Sequence, residues 1–387
     1  MTSRERVLTA SAGGRPDRVP VCLSFFQIDP RAPRPREWTW HNQVEQAEAM
    51  LRLGADALLH VVAPYSPPPD VEQRVWRERR EDEPRPIIVK EYRTPRGTLQ
   101  AAVRETEDWQ HGLDIPLFSD LAVSRATKWW VNGEQDLDPL SYLLRPPTSE
   151  QRAAFREQCQ AVRREANRLG VAVEGVGPLG GVMAGDAAAW LMGFENLMLA
   201  MVERPQLVTD LLGVIHRWQM ALVELLAESE VDIIKHRAWY ESADHWSPAL
   251  YRQMLAPLVR EEVVLTHQAG KLFSYIMTTG VMPLLPQIAG SGIDILWGVD
   301  PVQGRADLRR IKTEVGARVS LWGGVNGAVT VGRGTREEIR AAVEEACRVL
   351  GAGGGYVLTP VDSIFEDCPW ENVLALVEAA REFGRYS

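Results

Sequence analysis

Three stretches of this chain follow one plan: Gly54-Ala-Asp-Ala-Leu-Leu-His60, Glu230-Val-Asp-Ile-Ile-Lys-His236 and Gly292-Ile-Asp-Ile-Leu-Trp297. Each follows a helical pattern and turns at once into a short apolar run. A helix, a tight turn and a buried strand form the second half of a βαβ unit. Further apolar runs of strand length complete a set at 19–26, 55–62, 171–176, 231–237, 271–277, 292–298, 318–323 and 355–360. Eight strands alternating with helices favour a closed parallel barrel, an α/β fold of the (β/α)₈ TIM type. An open doubly wound sheet would carry a glycine fingerprint after a strand. Gly351-Ala-Gly-Gly-Gly355 precedes a strand instead, and reads as a turn.

Thr2-Ser-Arg-Glu5 has the form of a capping box and predicts an N-terminal helix. Helices are expected over 42–53 and 149–169. Residues 86–106 contain two strand-like runs around Thr94-Pro-Arg-Gly97, the pattern of a β-hairpin. The expectation is one domain over 1–387, with 65–148 as an excursion outside the barrel and 107–148 unassigned.

Composition narrows the function. The net charge is −9, no dense Lys/Arg run occurs, and nucleic acid is not an expected partner. The four cysteines, Cys22, Cys159, Cys347 and Cys368, form no CxxC pair and no disulfide pattern. The charged N-terminus lacks a signal-peptide core, and no apolar run is long enough to span a bilayer. The expectation is a cytoplasmic protein without a membrane partner, with homodimer assembly an option.

Several stretches resemble the uroporphyrinogen decarboxylase superfamily: RERVLTASAGGRPDRVPV, GPLGGVMAGDAAAWLMGFENLMLAMVERPQLVTDLL, HWSPALYRQMLAPLV, SLWGGVN and YVLTPVDSIFEDCPWENVLALVEAAREFGRY. Their order and spacing carry the resemblance. It implies a barrel enzyme of one of two chemistries. One branch decarboxylates porphyrinogen acetate arms without a cofactor. The other moves methyl groups between corrinoid proteins and thiols, with zinc. The first branch has an Arg-rich motif, MRQAGRYLPEY, after strand one. Here SFFQIDPRAPRPREW keeps Arg31, Arg34 and Arg36 without the motif, which argues against uroporphyrinogen itself as substrate. The second branch has a His-x-Cys-Gly turn and a late Cys. The matching positions are Met277-Thr-Thr-Gly280 and Asp362, so the family's zinc site is not expected.

In such a barrel the chemistry sits where strands end. Strand four ends in Lys235-His-Arg-Ala-Trp-Tyr-Glu241, the densest ionisable cluster at any strand end. His236 beside Glu241 suits acid–base work, and Arg237 suits an anion. His60 at the end of strand two and Asp362 complete the expected catalytic set. Arg34, Tyr240, Tyr275, Trp297, Trp322 and Asn326 are the expected substrate contacts. Glu174, alone in an apolar run, is expected to pair with a scaffold Arg. His41, His111, His216, His245 and His267 show no ligand spacing and are expected at the surface.

The function expected is a lyase of decarboxylase type, acting on an anionic small molecule, a cyclic one among the options, by general acid–base chemistry, without metal or cofactor. The alternative is a methyltransferase or demethylase with a corrinoid partner protein and a rearranged zinc site. A non-catalytic binding barrel is the third reading.

Overall fold

A computed structural model describes residues 1–28, 33–181 and 183–386. Contacts divide the chain into two compact units. The first comprises Met1–Ala63, Ala153–Val176 and Val223–Ser387; the second, Pro64–Arg152 and Gly177–Leu222.

The first unit is built on a parallel sheet. Seven strands run in the order Leu58–Val62, Ala172–Val176, Ile233–Arg237, Leu272–Ile276, Ile295–Val299, Ser320–Asn326 and Tyr356–Val361. Residues 21–22 supply the eighth stave, bridging Val21 to Leu358 and Cys22 to Asp56. All eight expected strands are therefore present and the barrel closes. The first is shorter than expected: Phe25–Phe26 leaves the wall and pairs with Ile364–Phe365 in a separate ribbon. The last five strands are each followed by a helix, ending with Arg336–Leu350 and Trp370–Phe383, which pack on each other.

The recurrent aspartates stitch this wall together. Asp56, Asp232 and Asp294 each stand just before an even-numbered strand. Each accepts a backbone N–H of the preceding strand through Oδ2: Val21 at 3.1 Å, Val173 at 2.8 Å and Phe273 at 2.7 Å. The backbone N–H of the same Asp donates to that residue's carbonyl, at 2.6, 2.8 and 3.1 Å. One side chain thus satisfies a ladder donor that the staggered barrel end leaves over. Asp56 also meets Arg6 at 2.6 Å and Arg18 at 3.0 Å.

The N-terminal helix Ser3–Ser11 begins with the expected capping box. Its Val7 and Ala10 join Ile233, Ile295 and Val357 in one buried cluster, so the helix plugs the barrel at the strands' N-terminal ends. The helix Gln43–Leu53 is capped by the Asn42 side chain and stops at Gly54, whose φ of 78° is costly for any other residue type.

The second unit contains the expected hairpin. Ile87–Thr94 and Gly97–Arg104 pair antiparallel, flanked by Glu72–Glu78 and Ala126–Lys128 in a four-stranded sheet distinct from the barrel sheet. The unassigned 107–148 segment supplies the last of these strands and the helix Leu137–Leu143. Trp218 stacks on Phe118 at 5.4 Å in this unit. His216, expected at the surface, is buried, because its helix Pro205–Ala227 carries buried Leu211, Leu212, Ile215 and Trp218 around it.

Candidate functional site

Side chains of a strand alternate between the two faces of the wall. In the fourth strand this rule sends Ile233, Lys235 and Arg237 inward, and Ile234 and His236 outward. The expected His236–Arg237–Glu241 grouping is split accordingly. His236 is fully buried between the wall and the helix Ala256–Gln268, with Nδ1 2.8 Å from Glu262 and Nε2 3.0 Å from Glu241. Burial alone would lower its pKa, but Glu262 and Glu241 hold it well above the usual imidazole range. Tyr275 donates to the other oxygen of Glu241, and Tyr251 donates to Tyr275 at 3.1 Å. Glu262, His236, Glu241, Tyr275 and Tyr251 thus form one buried network outside the barrel interior. Every member is within 1% of complete burial.

The barrel interior holds a different constellation. A cavity of 230 Å³ is lined by residues of seven strands, among them Cys22, His60, Glu174, Lys235, Trp297, Trp322 and Thr359, and by one face of the helix Gln43–Leu53. Barrel interiors are normally filled by Val, Ile and Leu. Here three neighbouring strands each contribute an ionisable side chain instead. Lys235 forms an ion pair with Glu174, and His60 Nδ1 lies 3.1 Å from the same Glu174 oxygen. Glu174 is buried, whereas the His60 side chain is 45% exposed, so the chain of groups runs from solvent into the cavity. Burial pushes the Glu174 carboxyl up, but Lys235 and His60 overcome this and hold it at about 2. Glu174 therefore pairs with Lys and His and not with the expected Arg. Lys235 was not anticipated from the sequence. Its signal was the alternation of the strand, which puts Lys235 on the same face as Arg237 and opposite to His236.

Trp297 and Trp322 line the cavity as register partners on adjacent strands, consistent with their expected place. The indole N–H of Trp322 is buried and meets no acceptor among the described residues. Above them, Arg237 ends the fourth strand with its guanidinium 4.6 Å from the ring centre of Trp239. Asp362 follows the eighth strand. Burial pushes its carboxyl up to about 6, Asp300 adding to the effect and Arg237 opposing it. The structure thus brings His60, Trp297 and Trp322 to the cavity and couples Arg237 to Asp362 electrostatically.

The remaining expected contacts have structural partners. Asn326 is fully buried, donates to Asp300 at 2.8 Å and caps the turn Gly327–Val331 by accepting from Val329 N–H. Asp300 also accepts from the N–H groups of Val302 and Gly304, so this pair fixes two strand-end loops. Arg34 is exposed and donates to the Trp40 carbonyl. The Tyr240 carbonyl accepts from Trp246, and its ring meets His245 edge-on at 5.7 Å. Arg31 lies outside the described residues. Among the described residues, no three His, Cys, Asp or Glu side chains converge as a metal site. The donor set at the superfamily's zinc position does not fit zinc either: Met277 offers a buried thioether and Thr279 a hydroxyl where imidazole and thiolate are needed.

Comparison with known proteins agrees with this architecture. The family model described as "Uroporphyrinogen decarboxylase (URO-D)" matches residues 135–383. The uroporphyrinogen decarboxylase of Coxiella burnetii (strain Dugway 5J108-111) is 31% identical over 141 residues, 36% of this chain and 37% of that one. That of Methylococcus capsulatus is 26% identical over 192 residues, 49% of this chain and 53% of its own. The matched part thus spans between a third and about half of these relatives' length. A solved structure, a methyltransferase from Methanosarcina mazei, superposes with a TM-score of 0.60 at 20% identity, over 99% of both chains. Such an identity speaks for the fold alone. With the family model covering well over half the sequence, and with a closed eight-stave barrel behind it, this chain belongs to the uroporphyrinogen decarboxylase (URO-D) family.

Proposed function

We propose that this chain is a lyase that removes CO₂ from a small anionic, cyclic substrate and returns a proton to the carbon left behind. The observation that carries this reading is the line of His60, Glu174 and Lys235 facing the barrel cavity. Placing ionisable groups in a barrel interior is costly unless they are paired. Paired in this way they make a route for a proton: solvent to His60, through Glu174, to the Lys235 ammonium inside the cavity.

The reaction needs such a route. Breaking the C–C bond leaves its electron pair on carbon as CO₂ departs, and one proton must then reach that carbon. Lys235 is the donor in this scheme, reloaded through Glu174 and His60. Arg237 at the strand end holds the carboxylate before cleavage. Asp362, held at about 6, can change protonation near neutral pH and is the second acid–base group. His236 and Glu241 have no direct part in this scheme. Neither zinc nor another cofactor enters it.

The test is incubation of the purified protein in D₂O with cyclic and acyclic carboxylates, following CO₂ release and deuterium by NMR. One deuteron per CO₂, at the carbon that lost it, is expected. His60→Gln and Asp362→Asn should each slow turnover by about 10²–10⁴-fold. Methyl transfer from methylcobalamin to a thiol, with no CO₂ from any acid, would replace this reading with the corrinoid one.

A further inference from the structure

The turn that carries Trp239 is held at both ends. Ala238 N–H donates to the Ile276 carbonyl at 2.9 Å, which extends the pairing of the fourth and fifth strands by one residue. Glu241 N–H closes the turn on the Ala238 carbonyl at 3.3 Å. The Glu241 side chain then passes to the outer side of the wall. There His236 Nε2 meets one oxygen at 3.0 Å and Tyr275 donates to the other. Two adjacent strands thus grip one carboxylate. Behind them Glu262 meets His236 Nδ1 at 2.8 Å, and Tyr251 donates to Tyr275 at 3.1 Å. Tyr251 belongs to a π-type turn, Tyr251–Leu255, a rare backbone form that is frequent at functional sites.

Apolar side chains would fill this space at lower cost than two carboxylates around an imidazole. What they could not supply is direction. A carboxylate gripped on both oxygens has one place and one orientation, and the chain that carries it is fixed with it. Trp239 lies inside the turn that Glu241 closes, and its ring centre is 4.6 Å from the Arg237 guanidinium. An aromatic face holds a guanidinium by cation–π attraction. Without such a seat a long, flexible arginine spreads over many rotamers, and ordering it costs binding energy.

We propose that Glu241 is a positioning residue of the reaction site: by anchoring the turn 238–241 to the fourth and fifth strands it seats Trp239 against Arg237, and so presets the guanidinium for the substrate carboxylate. The proposal rests on the reading of Arg237 as the carboxylate clamp, and it adds the buried residue that acts through it.

The Asp362 carboxyl reports where the guanidinium stands, with no substrate needed: burial and Asp300 raise it, and Arg237 pulls it down. Carbon NMR titration of the full chain labelled at aspartate, assigned with Asp362→Asn, reads this. Arg237→Met should raise the Asp362 pKa by about one unit and set the scale. Glu241→Ala and Glu241→Gln remove the same charge, but Gln keeps the length and an acceptor for His236. Losing that negative charge acts through space to lower the Asp362 pKa, whereas a guanidinium set loose raises it. Glu241→Ala should therefore raise it by about half a unit, and Glu241→Gln should leave it at or just below the wild-type value. Trp239→Leu, at a half-buried position that leaves the network whole, should give the same rise as Glu241→Ala. Where Glu241→Ala does not fold, Tyr275→Phe carries the test: it keeps the ring and every charge, frees one Glu241 oxygen and should give a rise of the same sign.

Equal Asp362 pKa values in the Ala and Gln variants would overturn the proposal. So would a wild-type value in Arg237→Met, Trp239→Leu or Tyr275→Phe. The two readings fail separately. The expected shifts in a protein that decarboxylates no acid remove the lyase assignment and leave the positioning role. Decarboxylation by wild type, with Asp362 unmoved in the variants, does the reverse.

Discussion

His236 and Arg237 are consecutive in the chain and face opposite sides of the barrel wall. One is locked between two glutamates under a helix; the other lies at the mouth with its guanidinium over Trp239. The same few residues of sequence therefore serve the scaffold and the site. Substitutions at the two positions should separate cleanly into effects on stability and effects on activity.

His236→Ala should destabilise the protein by about 3–5 kcal/mol, because it leaves Glu241 and Glu262 buried around a lost cation. Urea unfolding near neutral pH measures this. The sign in pH also follows. The folded-state pKa of His236 lies above its unfolded value, so its contribution is complete below the unfolded pKa. That contribution is lost only as pH rises through the high folded value. The stability difference between wild type and variant should therefore shrink on the alkaline side, not the acid side.

Asp362 carries the opposite sign. Its carboxyl is raised to about 6 from the ordinary 3.8, so ionising it in the folded protein is unfavourable. Wild-type stability should fall as pH rises between those two values. Asp362→Asn should remove that fall and gain about 3 kcal/mol above the window, with no gain below it. Denaturation midpoints across pH, set beside turnover, would show a more stable and less active protein. Equal stability of the two proteins at every pH would contradict the burial of this group.

Asp56→Ala should cost about 1–3 kcal/mol, since it strips the buried Val21 N–H of its acceptor and leaves Arg6 with Asp17 as its remaining carboxylate partner. Hydrogen exchange should report the loss first at residues 21–22, where the wall is thinnest. Uniform loss of protection over all strands at once would argue against a localised seam.

Dialysis against zinc, followed by metal analysis, should leave the wild type substoichiometric. The double substitution Met277→His and Thr279→Cys should raise zinc retention by supplying the imidazole and thiolate that zinc needs. Retention by the wild type that Asp362→Asn abolishes would mean these residues do bind the metal.

The eight strands were legible because buried parallel strands are short apolar runs between helical periods, and those runs survive in the bare sequence. The N-terminal capping box and the hairpin at 94–97 were legible for similarly local reasons. The site was less so. His236 looked catalytic because residue type and strand end were right, but which face of the wall it takes depends on a register that no local pattern fixes. Lys235 was overlooked beside it for the same reason. Glu262 lies 26 residues on along the chain, and its pairing with His236 needs helix and strand docked. Glu174 stood out as a carboxylate needing a partner, and only the barrel's closure shows that Lys235 and His60 provide it.

The three aspartate stitches all lie at the rim opposite the chemistry. Each ties an odd strand to the even strand after it, so the wall is sewn in pairs along one hem. At the other hem, where Arg237, Asn326 and Asp362 stand, the Asp300–Asn326 pair holds loops, and among the described residues no Asp repeats the strand-to-strand stitch. A chain organised so can trade residues along its free edge without unpicking the fabric. The motif that repeats most visibly in this sequence is accordingly a record of how the barrel is held, and the residues that distinguish its chemistry are those that do not repeat.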